Sequence, residues 1–364
     1  MNVAVLTSGG VDSSVALCEL ATKTDYKLTA FYLKIWLEDE LAYLGECPWE
    51  EDLKIVRQIT DQYGIELRVI SLQQEYRQKV VEYTLSELKR GGTPSPDLLC
   101  NQFIKFGAFF DKITQDPKDQ FDYVATGHYA GIEKRDGHQV LTKAKDGKKD
   151  QTYFLSRLSK EQINKLMFPL AKYQKNEVRD LAKHYDLLNA SRPDSQGICF
   201  LGKLKYNDFV SAYLGKKPGK IVDADTQDIL GDHDGFWFHT MGQRKGLKLS
   251  GGPWYVVAKD VDKNIVYVRH DKYVEEIKSK SFFVRDLNWY TTPFNKKLSC
   301  KIKIRHGEST TDATIELAEE NLWNIEMEKP DGGIADGQFA VFYQDHLCLG
   351  SGVIQKNSLL SIGQ

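Results

Sequence analysis

The 364-residue chain has six cysteines, at positions 18, 47, 100, 199, 300 and 348, yet no CxxC pair and no short cysteine framework. That spacing argues against structural zinc and cysteine-ligated iron-sulfur clusters, whose ligands come in close pairs, and no metal-ligand motif appears elsewhere. No apolar stretch approaches the length of a membrane helix, and Met1 leads straight into the strand-like run Val3–Leu6 with no signal or transit pattern. A cytoplasmic protein without a membrane partner is expected, and there its thiols stay reduced. The net charge is only -2, so no global field announces a nucleic-acid partner, which must be met by a local patch. One strip of that kind runs from Leu141 to Lys183, with eleven Lys or Arg against five Asp or Glu.

What is present is a loop. Thr7-Ser8-Gly9-Gly10-Val11-Asp12-Ser13-Ser14 follows the apolar run ending at Leu6 and precedes a helical pattern. Two glycines let the backbone approach an anion, and the N–H groups that open the next helix point at it with the dipole's positive end. The loop has no lysine, so it matches neither the Walker form nor GxGxxG. A match to SGGxDS arises by chance in about one chain in a thousand of this size. The plain alternative is a strand-to-helix turn with Asp12 and Ser13 in the first helical turn. The pattern resembles the pyrophosphatase loop of the N-type ATP pyrophosphatases, which implies a grip on the β and γ phosphates of ATP and the adenylation of a substrate.

The first two hundred residues alternate short apolar runs with longer helical ones. Strands are expected at Val3–Leu6, Leu28–Leu33, Leu67–Ile70 and Asp122–Thr126, with helices over Val11–Thr22, Glu50–Tyr63 and Glu75–Arg90. Such βαβ material predicts a doubly wound parallel sheet, with ligands beyond the carboxyl ends of its strands, where the loop, Leu33 and Gly127 fall. After Phe200 the pattern turns to glycine-punctuated runs of β-formers, with Asp260–Asn264 as a hairpin connection. The expected architecture is α/β plus β: a catalytic domain over 1–202, a small central β-rich domain over 203–278 and an antiparallel β-barrel over 279–364.

Two cysteines invite a chemical reading. Cys100 follows the Pro-stiffened segment Thr93-Pro94-Ser95-Pro96-Asp97, where Asp97 is expected to cap a helix and place the thiol in its first turn, favouring the thiolate. Cys199 follows Asp194-Ser195-Gln196-Gly197-Ile198 at a domain junction. Either is equally readable as a small buried hydrophobe. Two exposed thiols near one ATP site would suit sulfur transfer, one carrying a persulfide and the other resolving it through a disulfide.

Eight ordered blocks carry a more specific resemblance: SGGVDSS at Ser8, TPSPDLLCN at Thr93, TGHYA at Thr126, KKDQTYFLS at Lys148, KNEVRDLA at Lys175, DSQGICF at Asp194, GQRKGL at Gly242 and GGPWYVV at Gly251. In them the chain resembles the tRNA-specific 2-thiouridylases. The resemblance implies an adenine nucleotide alpha hydrolase-like catalytic domain in which ATP adenylates the C2 oxygen of the wobble uridine and a persulfide sulfur then displaces AMP. It makes Cys199 the persulfide carrier, Cys100 the partner nucleophile and Asp97 a general acid or base beside the target base, with Ser95 and Pro96. It assigns ATP to Leu6, Thr7, Ser8, Gly9, Gly10, Val11, Asp12, Ser13, Leu33 and Gly127, and tRNA to His128, Lys149, Asp150, Gln151, Arg305, His306 and Gln344. Mg²⁺ entering with the phosphates would approach Asp12, and a sulfur-donor protein is an implied partner. Ser95 stands where Asn is usual, Leu33 where Met is usual, and His306 where an aromatic hydroxyl is usual. Two other readings stay open: another ATP pyrophosphatase-type ligase or amidase, which has no need of the two cysteines, and a tRNA-binding module whose loop is structural.

Overall fold

The computed structural model describes residues 1–35, 49–115, 120–135, 137–194, 205–273, 278–291 and 296–355. Strand β1 (Asn2–Thr7) is followed by the helix Val11–Lys23, β2 (Lys27–Lys34), the helix Trp49–Gln62 and β3 (Glu66–Ser71). The helix before β3 stops at Gly64, which takes φ +62, the left-handed conformation that glycine adopts at no steric cost. Two longer helical stretches follow, Gln73 to Lys89 and Pro96 to Thr114, and each widens to π geometry in its middle, at Arg77–Val81 and Cys100–Ala108. Then come β4 (Tyr123–Ala125), the hairpin β5 (Ala130–Arg135) and β6 (His138–Lys143), β7 (Leu166–Met167) and the helix Lys175–His184.

The strands β3-β2-β1-β4-β7 form one parallel sheet in that order. The chain starts in the middle, at β1, and runs outward first on one side and then on the other. The carboxyl ends of β1 and β4 therefore flank the switch point, where a crevice opens for a ligand.

The central part is a four-stranded sheet, β10-β11-β8-β9, from β8 (Gly219–Asp223), β9 (Ile229–His233), β10 (Trp254–Asp260) and β11 (Ile265–His270). The β10–β11 hairpin turns at Asp260–Asn264 as its sequence predicts, with Asn264 at φ +55. The last part holds β12 (Ser279–Trp289), β13 (Lys297–Lys303), β14 (Thr311–Glu319), β15 (Leu322–Asp331), β16 (Phe339–Gln344) and β17 (Leu347–Gln355). These pair as β12-β15-β14-β13-β16-β17, and β12 pairs again with β17, which closes the ring.

Two features differ from the expected layout. The β5–β6 hairpin leaves the catalytic part and joins the barrel sheet, with Leu347 of β17 opposite Thr142 of β6. The barrel and the catalytic part also share one core cluster, which runs from Ala4 and Phe31 through Leu98, Phe106 and Tyr153 to Phe282 and Tyr343. The short helix Thr152–Leu155 and the residues after it are the clasp. Tyr153 donates to the Phe339 carbonyl at 3.2 Å, Tyr290 to the Leu155 carbonyl at 3.1 Å, and Asn288 to the carbonyls of Ser156 and Leu158 at 3.0 and 2.8 Å. These bonds and the shared core join the barrel to the catalytic part.

Candidate active site

The loop after β1 is shaped by its own hydroxyls. Gly9 takes φ +70, and a Cβ there would come within 2.8 Å of the Asp52 Cα. Ser13 Oγ accepts from the Ser8 N–H and donates to the Gly10 carbonyl, both at 3.1 Å, and Ser14 Oγ donates to the same carbonyl at 2.9 Å. Asn189 and Arg192 hold the loop from behind through the Gly9 carbonyl, at 2.8 and 3.2 Å. Leu6, Thr7, Gly9, Val11 and Ser13 are buried, Gly10 and Asp12 are half-buried, and Ser8 is exposed. Thr7 spends its hydroxyl on the Phe31 carbonyl, at 3.1 Å. That bond fixes β1 against β2, and at the end of β2 Leu33 stands half-buried.

Gly127, just beyond β4, meets the first turn of the helix. A Cβ on it would lie 2.6 Å from the Ser13 nitrogen and 2.7 Å from the Asp12 carbonyl carbon. The next residue, His128, bonds Thr126 Oγ1 through Nδ1 at 2.7 Å and packs its ring near Phe106 and Phe168. Burial, with the Lys105 charge acting the same way, pushes its imidazole down to about 3, so His128 is neutral at physiological pH. Phe106 belongs to the widened helix that starts at Cys100. A single chain of contacts thus links the phosphate loop to the cysteine-bearing helix.

Asp97 and Cys100 sit differently from the sequence reading. The N-cap position belongs to Ser95, whose side chain makes no cap bond, and Asp97 lies inside the first turn. Cys100 comes just after that turn: its own N–H is satisfied by the Pro96 and Asp97 carbonyls, so no open helix terminus faces it. The thiol is 0% exposed and part of the shared core. The expectation of two exposed thiols is therefore corrected at Cys100. Cys199 lies outside the described residues. Pro96 is buried, and Ser95 is half-buried.

Asn101, next to Cys100, donates to the Phe154 carbonyl at 3.0 Å. The Phe154 ring stacks with His306 at 4.6 Å. Burial and then Lys303 hold the His306 imidazole below its ordinary value, while the nearby Asp97 pulls the other way. Three distant segments, around Asp97, Phe154 and His306, thus meet at one place. Arg305 points to solvent in a bidentate pair with Asp331, at 2.9 and 2.8 Å. Gln344 is exposed at the β16–β17 turn.

The turn assigned to tRNA contact divides. Lys149 is half-buried and reaches Asp194 at 2.6 Å. Gln151 is bonded to Tyr129 in both directions, at 2.8 and 2.9 Å. Asp150 is 3% exposed, accepts from Thr152 and pairs with Lys303, itself 4% exposed, at 3.4 Å. Its carboxylate therefore binds the barrel to the catalytic part. Breaking a buried pair leaves an uncompensated charge. Lys303→Met is expected to destabilise the protein by about 3–5 kcal/mol, and adding Asp150→Asn to recover part of that loss; denaturant midpoints check both.

Tyr129, Lys175, Arg179 and Asp194, which carry no assignment from sequence, also gather at the loop. Asp12 accepts from Tyr129 OH at 2.8 Å and from Lys175 Nζ at 2.7 and 2.9 Å. Asp194 meets Lys149, Lys175 and Arg179 at 2.6, 2.8 and 2.5 Å. Burial alone would raise its carboxyl, but the bonds from Lys149 and Lys175 prevail and hold it well below the usual carboxylate range. The signal was available, since Lys149, Lys175 and Arg179 lie in the basic strip. Among the described residues no group of three or more His, Cys, Asp or Glu is arranged to hold a metal ion. The one carboxylate at the helix start, Asp12, suits Mg²⁺ that arrives on the phosphates, because that ion commonly needs only one or two protein carboxylates.

A parallel sheet with such a loop at its switch point is the framework of a nucleotide-using HUP domain, and residues 1–203 match the family model described as the tRNA methyl transferase HUP domain. Residues 207–270 match its PRC-barrel domain, and residues 279–354 match the aminomethyltransferase beta-barrel domain. Along almost its whole length the chain is 46% identical over 362 residues to the tRNA-specific 2-thiouridylase MnmA of Parabacteroides distasonis, covering 97% of this chain and 99% of that one. It is 44% identical over 366 residues to the protein of the same name from Porphyromonas gingivalis, with 98% and 99% covered. The match to tRNA-specific 2-thiouridylase MnmA 1 of Bacteroides thetaiotaomicron is 44% over 362 residues, with 98% and 100% covered. The chain belongs to the tRNA-specific 2-thiouridylase family.

Proposed function

We propose that this protein uses ATP to replace the C2 oxygen of the wobble uridine of tRNA with sulfur. The observation that carries the reading is the glycine-serine loop at the switch point, pinned by Gly127 and facing a cluster of cations. A stacked base shields C2, so the uridine must be extruded to reach the site. The uridine oxygen attacks the α-phosphorus of ATP, the bond from that phosphorus to the bridging oxygen breaks, and pyrophosphate leaves with its electron pair. Ser8, Gly9, Gly10 and Ser13 hold the phosphates through backbone and hydroxyl donors, while Leu33 and Gly127 border the adenosine. Mg²⁺ bound with the phosphates supplies further neutralisation of their charge, and Asp12 is the residue that would hold it.

Sulfur delivery falls to the cysteines. The outer sulfur of a Cys199 persulfide attacks C2, and the C2–O bond breaks to release AMP. Cys100 then attacks the Cys199 sulfur, which breaks the S–S bond, leaves sulfur on the base and creates a Cys100–Cys199 disulfide for an external thiol to reduce. A separate sulfur-donor protein reloads Cys199, and the compartment is the reducing cytoplasm. Asp97, His306 and the exposed Arg305 suit the base and its backbone; His128, Lys149, Gln151 and Gln344 extend the RNA contact. The matching models are described by methyl transfer, but a phosphate loop with two assigned cysteines favours thiolation.

Incubating wobble-uridine tRNA with the protein, ATP and a persulfide donor, then digesting it for nucleoside mass analysis, tests the reading. The expected result is the mass gain of an oxygen-to-sulfur exchange, dependent on ATP. A methyl mass gain, or unchanged uridine with intact tRNA binding, would overturn it.

A further inference from the structure

The phosphate loop has no lysine of its own, and the fold brings one to it. Lys175 opens the helix Lys175–His184, whose start is fixed by reciprocal bonds between Gln174 and Glu177. The Lys175 N–H is held by the Asp146 carboxylate at 2.9 Å. Its Nζ donates to both oxygens of Asp12, at 2.7 and 2.9 Å, and lies 2.8 Å from Asp194. The side chain is 14% exposed, and a cation so enclosed needs anions around it.

Asp194 does not depend on Lys175, because Lys149 and Arg179 hold it as well. Asp146, the other carboxylate close by, is occupied by the N–H groups of Lys148, Lys149 and Lys175. Asp12 is therefore the partner that Lys175 alone among these cations serves, and Asp12 sits in the helix turn that receives the phosphates. A lysine ammonium on a flexible stem, with three donors, can exchange one anion for another without moving the backbone.

We infer that Lys175 is the phosphate-binding cation of this site: it holds the Asp12 carboxylate when the loop is empty and turns to the β and γ phosphates when ATP binds. The inference rests on the ATP reading above. During adenylation the Lys175 ammonium offsets the charge that develops on the departing pyrophosphate.

Calorimetric titration of the full chain with pyrophosphate, ATP and AMP tests it. Lys175→Met is expected to weaken pyrophosphate and ATP binding about 10- to 100-fold, the loss of one charge-assisted contact, while AMP binding is unchanged. Unchanged pyrophosphate affinity in a variant that melts like the wild type would overturn the inference. A wild-type measurement removes dependence on the variant's folding: an adenosine diphosphate bearing a pyridoxal aldehyde on its terminal phosphate is fixed by borohydride, and the adduct is mapped. An ATP-blocked adduct on Lys175 supports the inference, and one on Lys149 with Lys175 unmodified overturns it. Failure of the wild type to bind ATP at all would instead overturn the parent reading.

Discussion

Gly127→Ala is expected to reduce ATP affinity about 100-fold or more and to abolish adenylation, with tRNA binding retained. The added Cβ would stand 2.6 Å from the Ser13 nitrogen, 2.7 Å from the Asp12 carbonyl carbon and 2.9 Å from the Asp12 oxygen. All three are backbone atoms, so no side chain can swing aside to make room. The relief must come from moving the first turn of the helix Val11–Lys23, and that turn carries the N–H groups aimed at the phosphates. Even a 1 Å displacement there is costly, because the donors act through fixed geometry. Gly147→Ala is the matched control: no atom lies within 4 Å of its added Cβ, and binding should be unchanged. Titration with a non-hydrolysable ATP analogue reads both. Wild-type affinity in Gly127→Ala would mean that the nucleotide does not sit at this turn.

The parts of the molecule that were legible in sequence are those set by neighbours in the chain. The phosphate loop is spelled by eight consecutive residues, and its strand and helix by the apolar pattern on either side. Gly127 falls at the site because it follows a strand end, and strand ends converge at a switch point. The β-rich character of the chain after Phe200 is legible in its glycine-punctuated runs of β-formers. What was hidden depends on partners far away. The β5–β6 hairpin reads as part of the catalytic domain until Leu347 pairs with Thr142. The pairing of Asp150 with Lys303, 153 residues further along the chain, is likewise invisible in sequence. The residues just after Gln151 carry no sequence sign of a structural role, yet Tyr153 and the Leu155 and Ser156 carbonyls are used to clasp the barrel. At Cys100 the difference is local: Ser95 rather than Asp97 takes the cap position. That shift of two residues carries the cysteine past the open helix end and into the core.

That burial sharpens what the cysteine variants should show. Cys199→Ala is expected to stop thiolation completely while tRNA adenylation and a single round of pyrophosphate release continue, because activation precedes sulfur delivery. Radiolabel from α-labelled ATP should accumulate on the tRNA, and nucleoside analysis should find no thiouridine. Cys100→Ala should behave differently. Its thiol lies in the shared core, so the variant is expected to lose about 1–2 kcal/mol of stability from the lost packing. It should still accept a sulfur on Cys199 and attack C2, then stall with the base joined to Cys199 through a disulfide that mild reductant cleaves. Asp12→Ala provides the contrast, since losing the carboxylate at the phosphate loop removes adenylation and thiolation together. Because the Cys100 thiol is enclosed, resolution requires the helix that begins at Pro96 to expose it once the tRNA is seated. Alkylation of Cys100 should therefore be slow in the protein alone and accelerate when wobble-uridine tRNA and ATP are added. Equal alkylation rates in the two states, with thiolation intact, would assign the resolving step to another thiol.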